Sequence, residues 1–508
     1  MIGNLYRRSI LEITAFTCGA VVMIFEIIGS RIVSPFIGTS TYIWTSLIGV
    51  ILASLSLGYW LGGRLADRRP EFRLLALVIL IAGGLISLTI LIKDVVLSFV
   101  GSASVGLEIK AVLASLLLFA PASVCLGMVA PLSVRLKISS PENTGRTVGS
   151  LYAISTVGSI VGTFVAGFYL IPFIGSVRTL YLIAGCLLAI SVAVGPLTLS
   201  KSNITVVVLF VFGIAASESN AYLLREKNDL YDLDTEYSRV RVFQTTDSIS
   251  GKPIRALAID PFLIQSAVFL DRDDLVFDYS RYYHLVRYFK PDFERTLIIG
   301  GAGYSFPREY LRSYDKARID VVEIDPGMTK IARNLFRLRD DSRMNIIHED
   351  GRIFINRSDP AKYDAVLIDA FGSLFTVPEH LTTIEAVINI NRILKDDGVV
   401  IFNLGSALTG EGSRFLQAEL RTYREVFPNV YLFKVNAGYD DKRLQNLIVI
   451  ASKRAGESTL ESNDASIESL LMHRYSKDLP LDENVLTDDL APVEYYSSIA
   501  QRLYVSTR

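Results

Sequence analysis

The sequence predicts a membrane α-helical bundle of 6–7 transmembrane helices, then an α/β Rossmann-like domain with a small β-element before it. Three observations predict this. Mean hydropathy over the 508 residues is +0.37, too apolar for an ordinary soluble chain, and the excess is confined to residues 10–218. The second half instead alternates short apolar strands with helical segments, the pattern of a parallel sheet. Within it, Thr296 to Asp325 forms a strand, a glycine-rich turn, a helix and a second strand with an acidic end. A chain this long should hold more than one domain. The boundaries read as 1–218 for the helical domain, 219–236 for a polar linker, 237–290 for the β-element with a helix, and 291–508 for the Rossmann-like domain.

The helical half divides into apolar runs near 10–33, 42–63, 73–93, 111–134, 148–171 and 177–198, with a shorter one at 204–217. Six of them approach the ~20 residues that a helix needs to cross the hydrocarbon core. No small-residue cleavage site follows a short apolar core, so no cleaved signal peptide is expected. The loop 64–73 carries Arg64, Arg68, Arg69 and Arg73, and 135–146 carries Arg135, Lys137 and Arg146. The positive-inside rule places both in the cytoplasm, with Arg7 and Arg8 at the amino terminus agreeing. Six spans then return the chain to the cytoplasm, where a nucleoside cofactor is found. On this reading 204–217 is re-entrant, interfacial or a partial crossing, and the protein is a multi-pass inner-membrane protein with a cytoplasmic catalytic domain. Gly158 and Gly162 mark a close helix contact, and Pro121 and Pro131 mark a kink or a broken end.

A net charge of −1 gives no global attraction to nucleic acid. Cys18, Cys125 and Cys186 all lie in the apolar half and offer neither a disulfide framework nor a metal site. His284, His348, His380 and His473 are scattered without ligand spacing and read as surface or packing residues, so no metal is expected.

In the second half, 239–244 and 254–259 read as the strands of the β-element, and 271–290 as a tyrosine-rich helical stretch whose rings mostly pack, with one able to line a pocket mouth. Leu297–Ile299, Ile319–Ile324, Met344–His348, Ala365–Ile368, Val399–Asn403 and Val430–Val435 read as core strands, and Leu447–Ala451 as an antiparallel last strand. In an open parallel sheet, ligands bind beyond the carboxyl ends of the strands. Gly300, Gly301, Ala302 and Gly303, with Tyr304 behind them, follow the first core strand and let the backbone approach a ligand closely. Glu323, followed by Ile324, suits a ribose diol, and Asp350 with Gly351 suits the exocyclic amine of adenine. Asp369, followed by Ala370, ends the next strand where the reactive end of such a ligand would reach. A carboxylate there can hold an amine, act as a base, or offset a sulfonium charge. These eleven residues are the candidate nucleoside contacts.

The segments IIGGAGYSFPREYL, VVEID, EDG and YDAVLIDAFG resemble the spermidine synthase (polyamine aminopropyltransferase) family, built on a class I methyltransferase-like sheet. The resemblance runs from about Tyr237 to Ala451. With the helical half in front, and with HLTT and LTDDLAPVE, the chain resembles bacterial fused transporter-like/spermidine synthase-like membrane proteins; GGRLADRR also resembles a cytoplasmic loop of major-facilitator transporters. The resemblance implies that Glu323 binds ribose, that Asp350 and Gly351 contact adenine, and that Asp369 is catalytic. The sequence also departs from the family. Gly303 stands where its glycine loop has an aspartate, Gly372 where it has a second acid after the catalytic one, and Ser238 where a glutamine follows the tyrosine. In the family, the two missing acids help to hold the amines of donor and acceptor.

A di- or triamine needs compensating charge when it leaves water, so the departures predict weak polyamine binding. They also favour intact S-adenosylmethionine, whose carboxylate an aspartate at 303 would repel, over the decarboxylated form. Two functional readings stand. One is a membrane-anchored enzyme that uses either nucleoside and releases methylthioadenosine, by lyase-type cleavage or by alkyl or aminopropyl transfer. The other is a transporter or sensor whose soluble domain binds the nucleoside. The expected partners are a small-molecule nucleoside and the lipid bilayer, not nucleic acid, with a homo-oligomer left open.

Overall fold

The computed structural model describes residues 2–37, 41–103, 105–138, 144–195, 201–259, 263–370, 377–456, 459–482 and 484–506. The chain divides into two compact units, Met1–Asp234 and Thr235–Arg508.

The first unit holds α1 (Ile2–Ile37), α2 (Thr41–Arg68), α3 (Phe72–Ser102), α4 (Leu107–Leu118), α5 (Ala120–Lys137), α6 (Thr144–Val165), α7 (Ser176–Val194) and α8 (Lys201–Asn228), and closes on a short strand, β1 (Tyr231–Asp234). Among the described residues, five helices are long and apolar enough to cross a membrane, or six if α4 and α5, bent by 55°, form one span. The bend falls next to Pro121, in the first turn of α5, because proline lacks an N–H and its ring clashes with the preceding turn. Pro131, by contrast, sits within α5 without ending it. α6 packs against α1 so closely that a methyl at Gly158 would lie 2.1 Å from the carbonyl oxygen of Phe16. Only a residue without a side chain permits that approach.

α8 differs from expectation. Residues 204–217 lie within one continuous helix, and the polar segment read as a linker from 219 stays helical to Asn228. Good helix formers carry it on: Ala221, Leu223, Leu224, Arg225, Glu226 and Lys227.

The second unit opens with β2 (Arg239–Thr246), β3 (Pro253–Ala258) and β4 (Ser266–Phe269), paired antiparallel in that order. α9 (Asp278–Arg281), a 3₁₀ turn (Tyr282–Leu285) and α10 (Val286–Phe289) follow. Helical structure thus begins at Asp278 rather than at 271. The preceding acids are drawn into ion pairs instead, Asp273 with Arg308 at 3.0 Å and with Arg337 at 3.1 Å.

The core is a seven-stranded sheet of β5 (Arg295–Ile299), β6 (Arg318–Val322), β7 (Met344–Ile347), β8 (Tyr363–Ile368), β9 (Leu394–Ser406), β10 (Asn429–Lys434) and β11 (Gln445–Ser452), in the order β10-β11-β9-β8-β5-β6-β7. β5 to β9 pair parallel, and β11 runs antiparallel to both its neighbours, as its place at the end of the strand series suggested. Helices α11 (Ser305–Ser313), α12 (Pro326–Leu335), α13 (Gly351–Arg357), α14 (Ile384–Ile393) and α15 (Arg414–Arg424) connect the strands, and α16 (Ala465–Leu471) and α17 (Val493–Ser506) follow. β8 is buried along its whole length, and β5 from Thr296 to Ile299, as expected of strands covered on both faces. From β5 the chain moves to β6 and β7 on one side, then returns to β8 on the other. The crevice between β5 and β8 is therefore the topological switch point, where open α/β sheets bind ligands.

Candidate functional site

Strand register brings the candidates level with one another. Ile299 pairs with Val322 and with Ile368, so Gly300, Glu323 and Asp369 all come one residue beyond the same rung of the sheet. Gly300 has φ +97°, and a methyl there would lie 2.4 Å from the carbonyl oxygen of Asp369. A side chain at 300 would therefore part the two strand ends that frame the crevice.

The turn beyond Gly300 is tied to β6 by Glu323. One carboxylate oxygen accepts the N–H groups of Gly301 and Ala302 at 2.8 and 2.9 Å, and the other accepts the N–H of Asp325 at 2.9 Å. Burial pushes this carboxyl up, against the three N–H groups that pull it down. A carboxylate offers about four acceptor positions, and three are taken by the backbone. One is left for a ribose hydroxyl, where the sequence suggested that both hydroxyls could be met. Glu323→Ala is expected to leave three backbone donors unpaired, at ~1–3 kcal/mol for such a group. Thermal melting should show lower stability and calorimetry a weaker affinity for methylthioadenosine, whereas an unchanged melting temperature would mean that the tie is dispensable.

Ala302 and Tyr304 adopt φ values of +43° and +56°, which makes the turn tight. The Tyr304 ring does not reach the crevice. It is fully buried beneath the turn, its hydroxyl 2.7 Å from that of Thr329, and so supports the loop from below. Ile324, between two buried acids, is 38% exposed and presents an apolar side chain at the strand end. Its neighbour Asp325 caps α12 through the N–H of Gly327 at 2.8 Å.

Asp350 follows β7 and caps α13 by accepting the N–H of Ile353 at 3.0 Å. Its second oxygen lies 3.1 Å from Nε2 of His380. Sequence reasoning had set His380 aside as a surface or packing residue. Thirty positions separate it from Asp350, and only the HLTT segment could have marked it. Gly351 is required by packing, since a methyl there would lie 2.6 Å from the Ile299 side chain.

Asp369 ends β8. Its carboxyl is pushed up to about 6 by burial, partly opposed by hydrogen bonds from Tyr283 and Tyr279. The Tyr279 hydroxyl stands 3.4 Å from Oδ2, and the two tyrosine rings meet edge to face. The tyrosine stretch thus contributes two rings here, where the sequence allowed for one at a pocket mouth. Ala370 is the last described residue of this segment, and Gly372 lies outside the described residues.

Gly303 faces β4. A Cβ at 303 would lie 2.4 Å from the Ser266 hydroxyl and 2.9 Å from its Cβ. The position where the family resemblance expects an aspartate is therefore closed by a serine that sequence reasoning did not identify. Among the described residues no three His, Cys, Asp or Glu side chains gather as a metal site.

Comparison with known proteins places this site in a family context. Residues 276–443 match the model of the spermine/spermidine synthase domain. A polyamine aminopropyltransferase of Vibrio vulnificus is 28% identical over 232 residues, 45% of this chain and 75% of that protein. Polyamine aminopropyltransferase 1 of Streptomyces coelicolor is 24% identical over 434 residues, 78% of this chain and 76% of that protein, a match that reaches into the helical half. Among solved structures, a probable spermidine synthase from Corynebacterium glutamicum is 22% identical, covering 51% of this chain and 91% of that one with a TM-score of 0.40. The C-terminal half of this chain is a spermidine synthase domain with polyamine aminopropyltransferases among its homologues.

Proposed function

We propose that the second unit binds an S-adenosylmethionine-type nucleoside in the crevice between β5 and β8 and cleaves its sulfonium–carbon bond, releasing methylthioadenosine. The helical half holds this enzyme in a lipid bilayer. The observation that carries the reading is Asp369, a carboxyl raised to about 6 at the switch point, held level with the glycine turn and faced by two tyrosines. Adenosine binding alone would use Glu323, Ile324 and Asp350, and leaves Asp369 without a role. Perturbed carboxyls in a ligand crevice are characteristic of catalytic sites.

Intact S-adenosylmethionine is the preferred nucleoside on this reading. The ammonium of the decarboxylated form lacks its aspartate, because Ser266 fills the space beside Gly303. In transfer, an amine nitrogen attacks the carbon bonded to sulfur. The C–S pair stays on sulfur as the neutral thioether, and the amine proton passes to Asp369. In internal cleavage, the nucleoside's own carboxylate attacks its γ-carbon, a lactone forms, and no proton is released. Aminopropyl transfer from the decarboxylated nucleoside is the second reading, favoured by the names of the relatives.

pH separates the routes. Asp369 is protonated below about 6 and ionised above it. Transfer that uses Asp369 as base should rise through pH 6 to a plateau, whereas internal cleavage, which moves no proton, should show no base-dependent rise. The test is methylthioadenosine release by the purified full chain in detergent, from each nucleoside, with and without putrescine. No release from either nucleoside, with tight binding of both, would replace the enzyme by a sensor.

A further inference from the structure

We propose that α8 is a seventh membrane crossing, so that the spermidine synthase domain and the arginine-bearing loops 64–73 and 135–146 face opposite compartments. This rests on the reading of the helical half as bilayer-embedded.

α7 fixes the two ends of the bundle. At its C-terminal end, Ser191 donates to the carbonyl of Ala76 at 2.6 Å, and a methyl at Gly195 would lie 3.2 Å from the carbonyl oxygen of Phe72. That end therefore lies beside the start of α3, immediately after the loop carrying Arg64, Arg68, Arg69 and Arg73. Arg135, at the end of α5, reaches Asp67 of the same loop at 4.0 Å. The arginine loops thus share one face of the bundle.

α8 starts at that face and runs back along α7. A methyl at Gly185 would lie 3.3 Å from the Phe210 ring, Tyr181 donates to the carbonyl of Gly213 at 3.1 Å, and Arg178 pairs with Glu218 at 3.4 Å. As numbers rise in α8 they fall in α7, so the two are antiparallel where they meet, from Arg178 to Gly185 of α7, itself a candidate span. The apolar stretch Ile204–Ala216 advances ~20 Å at 1.5 Å per residue. The polar residues that flank it, from Lys201 to Glu218, extend the helix to ~27 Å against a hydrocarbon core of ~30 Å.

The chain then stays at the far face. Asp234, the last residue of the unit, accepts both the N–H and the hydroxyl of Ser176 at 2.9 Å, at the N-terminus of α7. The chain therefore leaves the first unit at the face opposite the arginines. The positive-inside rule holds the arginine face in the cytoplasm, and large domains cross largely regardless of their own charge. The nucleoside site then opens outside the cytoplasm, and a step carrying the nucleoside across the bilayer must precede catalysis. On this proposal the domain lies opposite to the cytoplasmic placement expected from six spans.

Arg69 and Ser250 are both exposed, one in an arginine loop and the other in the β2–β3 turn. In a full-length background with the three cysteines changed to serine, Arg69→Cys and Ser250→Cys are treated with a membrane-impermeant maleimide in spheroplasts. Label is expected at 250 at once, and at 69 only after permeabilisation. The reverse pattern would also place the two on opposite faces, while reversing which compartment feeds the site. Label at both, or at neither until permeabilisation, overturns the seventh crossing. A full-length fusion with a reporter active only outside the cytoplasm after Arg508 reads the same face with the native cysteines intact. Release of the protein from membranes by alkaline carbonate would instead overturn the bilayer reading itself, an outcome distinct from a wrong span count.

Discussion

Asp369→Asn is expected to lower the turnover of the purified protein by roughly 10²–10⁴-fold, the usual contribution of a positioned acid–base group. Nucleoside affinity should change much less. Asparagine keeps the size of the aspartate and can still accept from Tyr279, 3.4 Å away, so the end of β8 should hold its shape. It loses the negative charge that offsets a sulfonium and the oxygen that takes a proton. Because burial raises the wild-type carboxyl to about 6, it is ionised at neutral pH yet remains a competent base. Single-turnover methylthioadenosine release and calorimetry with the product separate chemistry from binding. Unchanged turnover would leave Asp369 as a buried strand end and remove the chemical basis of the proposal. Tyr279→Phe gives a further check. Removing its hydroxyl should raise the Asp369 pKa further and shift a base-dependent pH profile upward without abolishing activity.

The parallel sheet was legible because most of its strands are short apolar runs, and β5, β6 and β8 are followed directly by glycine or acid, a pattern set by burial on both faces. The level of Gly300, Glu323 and Asp369 followed from that, since equal strands in parallel register end together. Side-chain partners chosen across long sequence separations were not legible. His380 beside Asp350 and Ser266 beside Gly303 depend on loop paths that no local pattern encodes. The direction of the Tyr304 side chain was not legible for a different reason. Its place in the glycine turn suggested a ligand contact, but its left-handed backbone turns the ring down onto Thr329. In the helical half, proline chemistry located the α4–α5 break and small residues located the α1–α6 contact. The length of α8 was missed because hydropathy falls at Ser217 and Glu218 while helix propensity does not.

Restoring the missing aspartate requires two substitutions. Gly303→Asp alone places a Cβ 2.4 Å from the Ser266 hydroxyl and 3.2 Å from the Phe336 ring, so it should cost ~1–3 kcal/mol in overpacking and report little about specificity. Ser266→Gly clears that space, at ~0.5–1 kcal/mol for a glycine within a strand. The double variant, Ser266→Gly with Gly303→Asp, then has room for a carboxylate where the family resemblance puts one. Two like charges ~5 Å apart repel by about 3 kcal/mol at an effective dielectric of about 20. Even half of that is ~tenfold in affinity. The wild type should therefore bind S-adenosylmethionine more tightly than its decarboxylated form and make little spermidine from putrescine. The double variant should reverse the order, losing affinity for the carboxylate-bearing nucleoside and gaining it for the ammonium-bearing one. Ser266→Gly alone should keep the wild-type order, which isolates the charge from the cavity. The measurement is a paired calorimetric titration of the three proteins with both nucleosides. An unchanged order in the double variant would mean that position 303 does not face the donor's amino-acid end. Brisk spermidine synthesis by the wild type would establish aminopropyl transfer without an acid at 303, and the preference for intact S-adenosylmethionine would fall with it.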